Sequence, residues 1–75
     1  MPERYYVASG HGGGWLVFRE GTCQAVHRLP GKTQAVQTAK ILARSNVPSQ
    51  VMVEQRNGKF ALAFSFDHTS EVRGY

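Results

Sequence analysis

Three stretches of this chain carry residue types that do chemistry elsewhere. His11-Gly12-Gly13-Gly14 has the composition of an oxyanion hole, in which backbone N–H groups hold a tetrahedral intermediate. That chemistry needs a nucleophile in a Gly-x-Ser-x-Gly turn and an acid–histidine pair, and the chain has no such turn. Gly31-Lys32-Thr33 has the ending of a phosphate-cradling loop, but the required glycine five positions earlier is Val26. Cys23 and His27, with His11 and His68, are metal-ligating types. Structural zinc usually takes four ligands from closely spaced pairs, and one cysteine with three scattered histidines does not make that pattern. The acids Glu3, Glu20, Glu54, Asp67 and Glu71 fall near turns, ends or exposed strand positions, where carboxylates are usually solvated. The expectation is therefore a non-enzymatic chain with no catalytic residue, no metal and no cofactor.

The size supports that reading. Seventy-five residues make one domain. A domain of this length buries only about 60% of the surface of its unfolded chain. Its total stability should lie at roughly 4–11 kcal/mol. A single cysteine rules out an internal disulfide and fits a reducing compartment. No apolar run is long enough to span a membrane, and Met1-Pro2-Glu3-Arg4 lacks the basic start of a signal peptide. A cytoplasmic protein without a membrane partner is expected. Nine Lys/Arg against five Asp/Glu give a net charge of +4, scattered rather than clustered. That charge permits nucleic-acid contact without requiring it.

The elements that would position any site follow from periodicity. Arg4 to Ser9 and Trp15 to Arg19 read as strands, rich in aromatic and β-branched residues. Thr22 to Leu29 reads as a third. A helix is expected from about Lys32 to Ser45, with Ala35, Val36, Ala39, Leu42 and Ala43 on one face. Gly31 or Thr33 would cap its start, and Asn46 in a left-handed conformation would cap its end, before Pro48. Gln50 to Gln55 and Phe60 to Phe66 read as a hairpin closed by a two-residue Asn57-Gly58 turn. The fold class is thus α+β: a small antiparallel sheet of four or five strands with one helix on one face, in the order ββ(β)αββ. The domain would run over residues 1–66, with 67–75 a flexible C-terminal tail.

One helix covers one sheet face. Strict alternation assigns Tyr5, Val7, Trp15, Val17, Val51, Val53, Phe60, Leu62, Phe64 and Phe66 to the covered face. Tyr6, Leu16, Phe18, Met52, Ala61 and Ala63 fall on the other, which is unusually apolar for a face meant for water. Tyr6, Leu16, Phe18 and Met52 are therefore the candidate interaction face, for a protein partner or a second copy of the chain. The alternative is nucleic acid, with bases stacked on sheet aromatics and Arg4, Arg19, Lys40, Arg44 and Lys59 near phosphates. On the helix, Ile41 points away from the buried face beside Lys40 and Arg44.

The chain also resembles a known family. Tyr5-x-Val7, Gly13-Gly14-Trp15, Arg19-Glu20-Gly21, Ala35-Val36-x-x-Ala39-Lys40-x-x-Ala43 and Asn57-Gly58-Lys59 occur in an order and spacing similar to the bacterial domain of unknown function family 2188. The resemblance covers about residues 5–66. It departs at the start of the helix, where Gly31 stands in place of the family's usual threonine before Lys32. It implies the same small α+β fold and carries no established activity.

Overall fold

The structure is a computed structural model that describes residues 3–10, 12–21, 25–67 and 71–73. Its elements are β1 (Glu3–Ser9), β2 (Trp15–Arg19), β3 (Ala25–Leu29), α1 (Lys32–Ser45), β4 (Ser49–Glu54), β5 (Phe60–Phe66) and β6 (Glu71–Arg73). They form one sheet in the order β3-β2-β1-β4-β5-β6. Residues Glu71–Arg73 thus add a strand to β5, in the stretch expected to be a tail.

The sheet is mixed rather than purely antiparallel, because β1 and β4 run parallel, with Tyr5 beside Val51 and Val7 beside Val53. The reason is the single crossover. β1, β2 and β3 form a meander, so β3 runs in the direction of β1. One helix returns the chain to the end where β3 began, so β4 must run in that same direction. It then takes the free edge of β1, and α1 lies across the strands it has passed over.

The helix has the bounds its apolar spacing predicts. Ala35, Ala39 and Ala43 are fully buried against Tyr5, Val7, Val17, Val51, Val53 and Phe66. Gly31 takes the N-cap position without a side-chain cap. Asn46 at the other end is not left-handed (φ −133°, ψ 47°). It caps through hydrogen bonds instead: its amide Nδ2 donates to the Leu42 carbonyl at 2.9 Å and its backbone N–H to the Ala43 carbonyl at 3.1 Å. The buried Ser49 hydroxyl donates to that Ala43 carbonyl as well.

The β4–β5 hairpin forms with a different turn. Gln55 N–H bonds the Lys59 carbonyl at 2.8 Å and Gly58 N–H bonds the Gln55 carbonyl at 2.9 Å, leaving Arg56, Asn57 and Gly58 as a three-residue loop. A two-residue turn of the expected type needs positive φ at Asn57 as well, and only Gly58, at 81°, has it. Asn57 instead uses its side-chain oxygen to accept from Lys59 N–H at 3.0 Å.

Candidate interaction surface

The face away from α1 is built by alternation. Tyr5 and Val7 are buried under the helix, so Arg4, Tyr6 and Ala8 point the other way. Val17 is buried, so Leu16 and Phe18 share the open face, as does Met52 between buried Val51 and Val53. Tyr6 lies beside Phe18 on one neighbouring strand and beside Met52 on the other. Phe18, Tyr6 and Met52 thus form one row across three strands, and Leu16 lies two residues along β2, beside Ala8.

Strand β5 departs from the strict alternation. Phe64 pairs with Val51, but Leu62 pairs with Met52, so Ala63 is an extra residue in the ladder. This bulge turns the strand by one position. Phe64 and Phe66 remain on the helix side, whereas Leu62 and Phe60 emerge on the open face, 38% and 41% exposed. The assignment of Phe60 and Leu62 to the covered face is therefore corrected. Ala63 packs against the core and Ala61 pairs with buried Val53, so neither belongs to the open face. Nothing in the composition of β5 marks the bulge; it contains no glycine, and its apolar residues alternate without a break. A second bulge in β3 leaves Val26 unpaired and exposed.

The result is a broader apolar surface than alternation alone gives: Tyr6, Leu16, Phe18, Met52, Phe60 and Leu62. The Tyr6 and Phe60 rings meet edge to face at 5.2 Å. Tyr6, Ala8, Phe18, Arg19, Glu20, Gly21 and Phe60 line a shallow groove of about 250 Å³. The charges at its margin cancel locally. Arg4 lies 3.6 Å from Glu20 and its Nε donates to Gln50 at 3.2 Å, while the Tyr6 hydroxyl donates to Glu20 at 3.1 Å.

Of the basic candidates, Arg4 sits on this face and Arg19 borders its groove. The Arg19 guanidinium grips Glu3 through both Nε, at 3.2 Å, and Nη2, at 2.5 Å. That pairing holds the Glu3 carboxyl below its ordinary pKa. Lys40 and Arg44 are on α1, over the Phe64 and Phe66 rings at 4.4 and 5.6 Å. Lys59 follows the hairpin turn. The five do not form one footprint. His27 is exposed on β3, and Cys23, His11 and His68 lie outside the described residues. Among the described residues no cluster could hold a metal, and no helix is long and apolar enough to cross a membrane.

At one end of the face Glu54 accepts from Ser9 N–H at 2.7 Å and from Ser9 Oγ at 2.9 Å. The backbone bond first, and the hydroxyl second, hold the Glu54 carboxyl below its ordinary pKa. The linked stability is present above the unfolded pKa and is lost as pH falls through the folded one. Ser9→Ala removes only the hydroxyl, so the Glu54 pKa, followed by NMR, should rise part of the way to the ordinary value. A full return would mean that the backbone bond contributes nothing.

A model of the family described as an uncharacterized protein conserved in bacteria, DUF2188, matches residues 5–66. Neither the curated proteins nor the solved structures contain a match to the chain.

Proposed function

Since the chain belongs to the bacterial family DUF2188, whose members are uncharacterised, we propose a role read from its own surface: a non-catalytic interaction module that pairs with a second copy through the open sheet face. The carrying observation is that Tyr6, Leu16, Phe18, Met52, Phe60 and Leu62 share the side of the sheet opposite α1. Burying a large apolar side chain contributes about 1.5–3 kcal/mol before the costs of association.

Electrostatics support a like partner. The open face carries Arg4 and Arg28 against Glu20 and Glu54, so two copies meet without net repulsion. The same neutrality disfavours nucleic acid, whose affinity rests on uncompensated cations. Size sets the strength. Strands about 4.8 Å apart, with about 3.3 Å per residue, give a five-strand face of roughly 400 Å² in projection. Two such faces, roughly 800 Å² together, fall below the roughly 1,200–2,000 Å² that stable interfaces bury. The dimer should therefore dissociate on dilution.

Sedimentation over a range of concentrations tests this. The native chain should shift from monomer to dimer at low and high salt alike. Phe18→Ser and Leu62→Lys should stay monomeric with folded spectra. A native chain that is monomeric at every concentration overturns self-association. If that monomer binds single-stranded nucleic acid, and loses it with Phe18→Ser, the alternative reading takes its place.

A further inference from the structure

A second site lies at the end of the sheet where β1 and β4 finish. These strands are parallel, so their carboxyl ends open on the same side, and α1 starts there too. A cleft of about 380 Å³ occupies this position, lined by Ser9, Trp15, Lys32, Glu54, Gln55 and Arg56. That volume is ordinary for a small-molecule site, as is the place, beyond the carboxyl ends of parallel strands.

The lining has a definite chemical character. Trp15, the one tryptophan of the chain, supplies a half-buried aromatic wall. The Lys32 ammonium stands 5.5 Å from the centre of its ring. Arg56, from the β4–β5 turn, has no carboxylate partner among the described residues. Glu54 is the sole acid in the lining, and its Oε1 is already engaged by both Ser9 donors. Two cations from separate elements thus face a cleft with one carboxylate, itself bonded to Ser9, and the cations outnumber it.

We propose that this cleft binds a small organic oxyanion, a ring-bearing phosphate or carboxylate, with its charged group on Lys32 and Arg56 and its ring against Trp15. The arginine fork suits either oxyanion, and an indole face suits a flat ring. The site lies at the end of the sheet, shares only Glu54 with the open face, and does not depend on self-association.

The fluorescence of Trp15 reports directly on the cleft. The native chain would be titrated with adenosine monophosphate and with benzoate, against sodium chloride at matched ionic strength. A saturable change with either probe, absent with chloride, is the expected result. The probe that saturates identifies phosphate or carboxylate as the preferred group, and saturation by both supports the shared chemistry. Arg56→Gln and Lys32→Gln should each weaken binding about tenfold or more, the usual effect of losing a charged hydrogen bond. Both side chains are exposed, so their melting temperatures should match the native chain. Arg28→Gln removes the same charge from the open face and should leave binding unchanged. No saturable change with either probe overturns the proposal. So does an equal loss with Arg28→Gln, which would mean general attraction of anions to a basic protein.

Discussion

Phe66→Ala is expected to lower the stability of the domain by about 3–5 kcal/mol, the usual cost of truncating a buried aromatic. Phe66 is 3% exposed, pairs across the ladder with buried Ser49 and lies in the cluster under α1. Its ring stacks on Phe64 at 6.4 Å and lies beneath Arg44. Alanine leaves a cavity that a ladder bonded on both sides cannot close. Against a total of roughly 4–11 kcal/mol, that is a large share of the stability, and at the lower end of the range it unfolds the variant at room temperature. Phe60, on the same strand, provides the contrast. It is 41% exposed and its main aromatic contact is the Tyr6 edge, so Phe60→Ala should cost about 0.5–1.5 kcal/mol. Urea unfolding followed by circular dichroism measures both. Equal costs would place the two rings on the same face and remove the bulge at Ala63.

Ala39→Leu is expected to cost about 1–3 kcal/mol by overpacking. Ala35, Ala39 and Ala43 recur every four residues and have no exposed surface, so the spacing of helix and sheet is set by single methyl groups. A leucine at the middle position must push α1 away from Val7, Val17 and Val51, the fully buried valines beneath it. For a domain of this size, each kcal/mol corresponds to a fall of about 4–8 °C in melting temperature. Ile41→Ala, two positions along and 64% exposed, should leave that temperature nearly unchanged. An unchanged melting temperature for Ala39→Leu would mean that space remains beneath the helix.

The parts legible in the sequence are those fixed by neighbouring residues. Ala35, Ala39 and Ala43 mark the helix face, and Lys32 and Ser45 bound it, because helical spacing is a local property. Asn57-Gly58 marks the hairpin, although Asn57 does not adopt the backbone that a two-residue turn would require. The parallel pairing of β1 with β4 depends on which edge is free once the helix has crossed, and no local pattern encodes that. Four of the six residues of the candidate face follow from alternation: Tyr6, Leu16, Phe18 and Met52. Phe60 and Leu62 do not, because the extra residue at Ala63 is a feature of the β4–β5 ladder and not of the β5 sequence. The lining of the cleft brings together Trp15, Lys32 and Arg56, from three elements that only the completed sheet joins.

The β1–β4 seam also bears on the order in which the chain can fold. The β1–β2–β3 meander and the β4–β5 hairpin are each closed by short connections, and both form from nearby residues. Tyr5 and Val51 meet across 45 intervening residues, so the seam bears most of the loop-closure entropy. During synthesis, β1 must wait with an unpaired edge until β4 leaves the ribosome, and that exposed ladder is where aggregation would begin. A cut in the connection between α1 and β4 would yield two fragments with matching edges, and mixing them should rebuild the sheet along this one line.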